Sequence, residues 1–247
     1  MDVVYIIGNG SYSNNLELRM SLRSIAKYGS GIGKVVVAGM PPKWLSNEVV
    51  QVRVNDKYSY KHQNILRCIE TLIDKGIVNG EFLYSSDDHF YVKSVDFDSY
   101  PYFVKGELRA SVNRIDPFYK YHRSLYDTRC LLEKYGLPTK DYSQHCNTHM
   151  HTEVFRGCRD IIHESYELPY GVEPTTILMN YWQTMPNPPK AVRRVDLKIT
   201  AADSIDSIWE QIDGRDCFSI GDDIFRNRAI YSFFQREYDI RSVFEAS

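Results

Sequence analysis

The sequence predicts an α/β fold, a mainly parallel sheet flanked by helices, and three observations carry that prediction. Strand-like and helix-like hydrophobic periods alternate through roughly the first hundred residues. The run Lys34 to Ala38 is apolar almost throughout, as a strand covered on both faces must be. The most polar motifs follow strands directly, at the carboxyl ends where ligands collect in such sheets.

Taken in order, Val3 to Ile7 is a short apolar strand that ends in the turn residues Gly8-Asn9-Gly10. Leu18, Leu22, Ile25 and Tyr28 then share one helical face, with Ser13 or Asn14 as the expected cap and Gly29 as the stop. Lys34 to Ala38 is the second strand. After the Pro41-Pro42 turn, Val50, Val52 and Val54 alternate with Gln51 and Arg53, which marks a third strand with one wetter face. Ile65, Ile69, Leu72 and Ile73 define a helix over Tyr60 to Lys75 that Gly76 ends. Phe82 to Tyr84 is the fourth strand, and it runs into Ser85-Ser86-Asp87-Asp88-His89. Strand, helix, strand, helix, strand implies parallel pairing with right-handed crossovers.

The second half is less regular and more helical. Helices are expected near Tyr119–Tyr135, Glu153–Glu164, Thr175–Gln183, Ile205–Ile212 and Asp223–Tyr238, with strands at Val192–Ile199 and Cys217–Ile220. No repeat, low-complexity tract or linker interrupts the chain. One domain over 1–247 is the expectation, with a regular half at 1–105 and the rest at 106–247.

Composition narrows the function classes. The formal net charge of -2 provides no global basic field for nucleic acid or anionic membrane. No apolar run approaches a bilayer span, and Met1-Asp2 leads straight into a strand without a signal-like segment. The expectation is a cytoplasmic protein. The 5 cysteines are scattered, with no Cys-x-x-Cys pair, and read as reduced thiols filling core space. The 19 tyrosines suit sugar or base stacking, although most are expected to be packing.

Five motifs bear on chemistry. Asp87, Asp88 and His89 end a strand and supply two carboxylates and an imidazole for a hard divalent cation, against the plainer reading of a solvated acidic turn. Gly8-Asn9-Gly10 invites a dinucleotide reading, but Ser13 stands where a third glycine is needed, and Val37-Ala38-Gly39-Met40 lacks the ribose-binding acid. A nicotinamide-dependent oxidoreductase is disfavoured on both counts. Arg19 and Arg23, four apart, project from one side of a helix; by spacing alone they belong to an exposed surface. His145-Cys146-Asn147-Thr148-His149-Met150-His151 is dense in ligand-type residues, with catalytic histidine ranked above zinc and level with a polar loop. Gly221-Asp222-Asp223 starts the last helix, Asp223 as cap and Asp222 free to face a site.

These segments resemble the Stealth family of sugar-phosphate transferases, relatives of the GT-A nucleotide-sugar glycosyltransferases. Asp2-Val3-Val4-Tyr5 with Asn9-Gly10 is similar to that family's opening strand. Glu17-Leu18-Arg19-Met20-Ser21-Leu22-Arg23-Ser24-Ile25 is similar to its Glu-Leu-Arg-x-Ser-Leu-Arg-Ser-Ile helix, and Phe82-Leu83-Tyr84-Ser85-Ser86-Asp87-Asp88 to its Phe-Leu-Tyr-x-Asn-Asp-Asp block. The likeness is good over residues 2–90 and patchy beyond, where His149 and the Cys217 to Asp222 segment answer to later blocks. Ser86 replaces an asparagine, His89 an apolar residue and Gly221 a second asparagine. Asp87-Asp88-His89 is also similar to the Asp-x-Asp and Asp-x-His metal motifs of GT-A glycosyltransferases.

The resemblance implies a GT-A-like fold and a transferase using a nucleotide-diphosphate-sugar donor with Mn²⁺ or Mg²⁺. It implies that Gly8, Asn9, Gly10, Arg19 and Arg23 bind the donor. Asp87, Asp88 and His89 would hold the metal, and His149 or Asp222 would activate an acceptor hydroxyl. Glycosyl transfer is the expected outcome, with sugar-1-phosphate transfer as the alternative. The acceptor is a glycan or, in a second reading, a hydroxymethylated DNA base. A non-enzyme alternative is a nucleic-acid-binding module using Arg109, Arg114, Lys120, Arg123, Lys190, Arg193 and Arg194.

Overall fold

Asp2–Ile7 forms strand β1, Val35–Gly39 β2, Val49–Arg53 β3 and Glu81–Ser85 β4. In the computed structural model, which describes residues 1–9, 14–108, 120–221 and 226–246, these four strands pair in parallel. His89–Tyr91 (β5) leaves the sheet, and Thr148–His151 (β6) closes its edge antiparallel to β4. The strand order is β6-β4-β1-β2-β3. From β1 the chain builds outward through β2 and β3, then returns to place β4 on the other side of β1. The carboxyl ends of β1 and β4 therefore flank the point where strand order reverses, the position at which open α/β sheets bind ligands.

Each face of this sheet has its own helix. Leu18, Leu22 and Ile25 of α1 (Leu16–Tyr28) pack with Val3, Tyr5, Ile7, Val35 and Val37. Leu66, Ile69 and Leu72 of α2 (Lys61–Asp74) pack with Val4, Val36, Ala38 and Phe82. Alternate residues of β1 and β2 thus meet opposite helices, which explains why these strands read as continuous apolar runs. Each fully buried Leu or Ile contributes roughly 1.5–3 kcal/mol by leaving water. Gly39 has φ +98°, and a Cβ there would stand 2.2 Å from the Ile7 carbonyl oxygen, so only glycine lets β2 turn away while the Met40 N–H donates to that oxygen at 2.8 Å. Gly76, at φ +65°, ends α2 as its sequence position predicts.

The rest of the chain builds two further layers. Lys120–Lys134 (α3), Thr152–Gly157 (α4), Arg159–Ser165 (α5) and Pro174–Trp182 (α6) lie on the α2 side, where Leu132, Phe155, Ile162 and Ile177 extend the same core. A small sheet joins β5 antiparallel to Cys217–Ile220 (β7), which pairs in parallel with Lys198–Ile199. Phe90, Phe218 and Ile199 pack there against Ile208 of α7 (Ile205–Ile212) and Phe233 and Phe234 of α8 (Arg228–Glu237).

Three expectations shift. The helix expected over Glu153–Glu164 breaks at Cys158, whose ψ of 5° ends α4 after Gly157, a poor helix former. The strand expected over Val192–Ile199 survives only as Val192–Arg193 and Lys198–Ile199. Between them Arg194 turns to Asp216 and Asp196 turns to the His145 N–H, and both contacts pull the chain off a straight path. The last helix begins at Arg228, capped by Asn227, whose side-chain oxygen accepts from the Ala229 and Ile230 N–H groups at 2.9 and 3.2 Å. Asp223, the expected cap, lies outside the described residues, as does Ser13. Asn15 stands at the N-cap of α1 in the left-handed region. All five cysteines are free, and only Cys130 is exposed. No helix among the described residues is long and apolar enough to cross a membrane.

Candidate active site at the strand ends

The acidic turn is held from beneath by buried hydroxyls. β4 ends at Ser85, and Ser86-Asp87-Asp88 carries the chain into β5. Ser21, on the sheet-facing side of α1, donates to the His89 carbonyl at 2.6 Å. The Tyr5 hydroxyl lies 3.0 Å from Ser21 Oγ and is therefore the donor of that pair, since the single serine proton is already used. Burial above all pushes the Tyr5 phenol up to about 12, so it stays protonated and neutral. Three elements, β1, α1 and the turn after β4, are thus locked together through groups away from solvent.

Asp87 is a carboxyl short of compensating charge. Burial, then the Asp88 and Glu17 carboxylates, push it up to about 7, against smaller opposing effects from a backbone N–H and Lys61. Asp88 has the Lys198 ammonium at 3.8 Å and His89 Nε2 at 3.8 Å. His89 Nδ1 accepts weakly from the Ser86 N–H at 3.4 Å, and burial lowers its pKa despite Asp88, so its imidazole is neutral with the proton on Nε2. His145 stands near His89 and Lys198. Burial, with help from Lys105, Lys198 and His89, lowers its imidazole to about 4 although Asp196 opposes the shift. Its backbone N–H donates to Asp196 at 2.5 Å, and Lys105 Nζ meets the same carboxylate at 3.2 Å.

The groups around this cluster have unused hydrogen-bonding capacity. Lys198, Ser219 and His89 are successive cross-strand neighbours and so share one side of the small sheet. Ser219 is fully buried, and its Oγ has no hydrogen-bond partner. Asn147, just before β6, is 1% exposed; its amide faces the His89 ring loosely, outside strict hydrogen-bond geometry, and meets no other partner among the described residues. A buried polar group left unpaired costs about 1–3 kcal/mol, so such groups ordinarily have a ligand or water to complete them. Among the described residues no three His, Cys, Asp or Glu side chains converge with metal-ligand spacing.

The remaining expected site residues fall in different places. Gly8 and Asn9 end β1 in the open, next to β4 in the sheet and so beside the acidic turn; Gly8 approaches the Asp56 carboxylate. Gly10 and Asp222 lie outside the described residues. Arg19 and Arg23 are each two positions from Ser21, about 200° around the helix, and so turn away from the acidic turn. Arg23 is committed to the C-terminal segment: Nε and Nη2 fork onto the Glu245 carboxylate at 2.8 and 2.9 Å, and Nη1 donates to the Tyr238 carbonyl at 2.9 Å. Arg19 lies over the Trp44 ring at 4.6 Å.

His149 is not brought to Asp87–His89 either. It is paired with Leu83 across β4, and its ring leans towards the amino end of that strand. Nδ1 meets the Glu81 carboxylate, Nε2 donates to the Tyr100 carbonyl at 2.7 Å, and the ring stacks on Tyr102 with centroids 3.8 Å apart. Both nitrogens are engaged. Of the expected basic set for nucleic acid, Arg123 pairs with Asp127 and Arg194 with Asp216, while Arg109 and Arg114 lie outside the described residues. Asn147, His145, Lys198 and Ser219 were not singled out from sequence. Asn147 and His145 carry a signal, since they stand in the polar segment around His149; Ser219 and Lys198 carry none until strands are paired. No protein-family model matches this chain, and no curated protein does.

Proposed function

We propose that this protein is a GT-A-like, metal-assisted transferase that takes a nucleotide-diphosphate sugar across the carboxyl ends of β1 and β4. One observation carries the reading: an acidic turn at the reversal of strand order lies beside buried neutral groups, Ser219 and Asn147, whose hydrogen-bonding capacity is not filled among the described residues. Such a donor has two parts with opposite needs. Its diphosphate is anionic and requires positive charge. Its sugar hydroxyls both donate and accept, as do the amide of Asn147 and the hydroxyl of Ser219.

Asp87 and Asp88 fit Mn²⁺ or Mg²⁺ in the mode where one or two carboxylates hold the ion and phosphate oxygens with water complete it. The absence of a third ligating side chain among the described residues is compatible with that mode. When bound, the ion would offset charge developing on the departing diphosphate. Lys198, at 3.8 Å from Asp88, and Lys61, which faces Asp87, add positive charge on either side. His89, with Nδ1 turned to the Ser86 N–H, buttresses the turn rather than ligating through that nitrogen. The Gly8-Asn9 turn borders the nucleotide end. The proposed reaction is attack of an acceptor hydroxyl, on a glycan, at the anomeric carbon.

A thermal-shift panel of nucleotide sugars with Mn²⁺, with chelator as control, tests this directly. The expected result is metal-dependent stabilisation by a subset of donors, lost in Asp88→Ala while the variant stays folded. Mass spectrometry of the by-product then separates the two chemistries: glycosyl transfer or hydrolysis releases the nucleoside diphosphate, sugar-1-phosphate transfer the monophosphate. No stabilisation by any donor, or unchanged metal-dependent binding in Asp88→Ala, overturns the proposal.

A further inference from the structure

The outward side of α1 faces a second polar site, remote in character from the first. Arg19, Arg23, Trp44, Arg241, Glu245 and Ala246 line a cavity of about 450 Å³. Among the described lining residues, three guanidinium groups stand there against one carboxylate. The carboxylate is held in place by its own segment. Glu245 Oε1 accepts from Arg23 Nε at 2.8 Å and from the Ser242 N–H at 3.0 Å, and the segment is tied to the Trp44 loop by Ser46 N–H to the Phe244 carbonyl at 2.9 Å and Ala246 N–H to the Trp44 carbonyl at 2.8 Å. Arg19 is left short: its Nε is buried without a hydrogen-bond partner among the described residues, and Glu245 Oε2 is 3.5 Å away.

We propose that this cavity is a binding site for a phosphate-bearing ligand, held by Arg19, Arg23 and Arg241 and contested by the chain's own Glu245. Arginine forks are shaped for oxygens of a tetrahedral anion, and three of them around one carboxylate favour an anionic ligand. The Trp44 ring, already stacked under Arg19, gives the cavity one flat apolar wall. Glu245 grips Arg23 in the same two-oxygen manner that a phosphate would, so ligand and carboxylate compete for one fork. Occupancy by phosphate therefore frees the segment around Phe244 from the Trp44 loop. This site is independent of the acidic turn and needs no metal.

Calorimetry with inorganic pyrophosphate in the presence of chelator reads the site without the metal-dependent one. Glu245→Gln removes the competing charge and should tighten binding at least about fivefold, the low end of ordinary coupling between two ligands. Arg241→Ala, at an exposed position, should weaken it about tenfold, the worth of one charge-assisted hydrogen bond. In the unmodified chain, pyrophosphate should speed hydrogen exchange at the Ser46 and Ala246 amides, because their partners lie across the released contact. Absence of pyrophosphate binding, or affinity unchanged or lowered in Glu245→Gln, overturns the proposal. So does slower exchange at those two amides on adding pyrophosphate, since the ligand would then be clamping the segment.

Discussion

The two ends of β4 contain much the same chemistry, carboxylates beside a buried imidazole, and are built in opposite ways. At the amino end, Glu81 accepts from Tyr102 at 2.5 Å and meets His149, whose other nitrogen is used by Tyr100. Every polar group of that knot has its partner inside the protein. At the carboxyl end, Asp87 and Asp88 share too little positive charge, the Asn147 amide has only the His89 ring beside it, and the buried Ser219 Oγ has no hydrogen-bond partner among the described residues. Residue type does not separate the two ends. Hydrogen-bonding capacity met inside the fold does, and the proposed function takes the less satisfied end as the one a ligand completes.

The largest expected effect lies at the satisfied end. His149→Ala removes the stacked ring and leaves Glu81 with Tyr102 alone, so unfolding in urea should show a loss of roughly 2–3 kcal/mol. Donor binding by the folded fraction should be unchanged. Intact stability together with lost turnover would reverse the comparison and return His149 to the reaction. A smaller effect is expected from pH at the same knot. Burial alone would raise the Glu81 carboxyl, but hydrogen bonds from His149 and Tyr102 outweigh it and hold the group below its ordinary value. The stability it contributes is complete above the unfolded carboxyl value of about 4.3 and is lost as pH falls through the lower folded value. Glu81→Gln should flatten that acid limb; an acid limb identical to that of the unmodified chain would mean the knot is not what titrates.

How far these two ends were legible in the sequence follows from the range of the interactions. The strands and helices of the first ninety residues were readable because burial on two faces imposes its period on neighbouring residues, and Asp87-Asp88 was readable because the turn is contiguous with its strand. The break at Cys158 and the interrupted 192–199 strand were not, since the first depends on where Gly157 falls in a helix and the second on partners distant in the chain, Asp216 and His145. His149 attracted attention as a histidine in a polar segment, but only pairing with β4 reveals Glu81 and Tyr100 at its two nitrogens. Ser219 and Lys198 were invisible for the converse reason: they reach His89 through cross-strand register, and nothing local to them marks the meeting. Arg19 and Arg23 gave a correct reading of shared face, while their partner Glu245 lies more than two hundred residues away.

The account rests on the claim that unpaired groups at the carboxyl end are kept for a ligand. Asn147→Ala tests it most directly when stability and donor affinity are measured on the same variant. Only a loose contact with the His89 ring is lost there, so urea unfolding should change by about 1 kcal/mol or less, while affinity for a stabilising nucleotide sugar should fall by about tenfold or more. A variant that loses several kcal/mol of stability yet binds the donor unaltered would contradict the account, because Asn147 would then be completed by the fold itself.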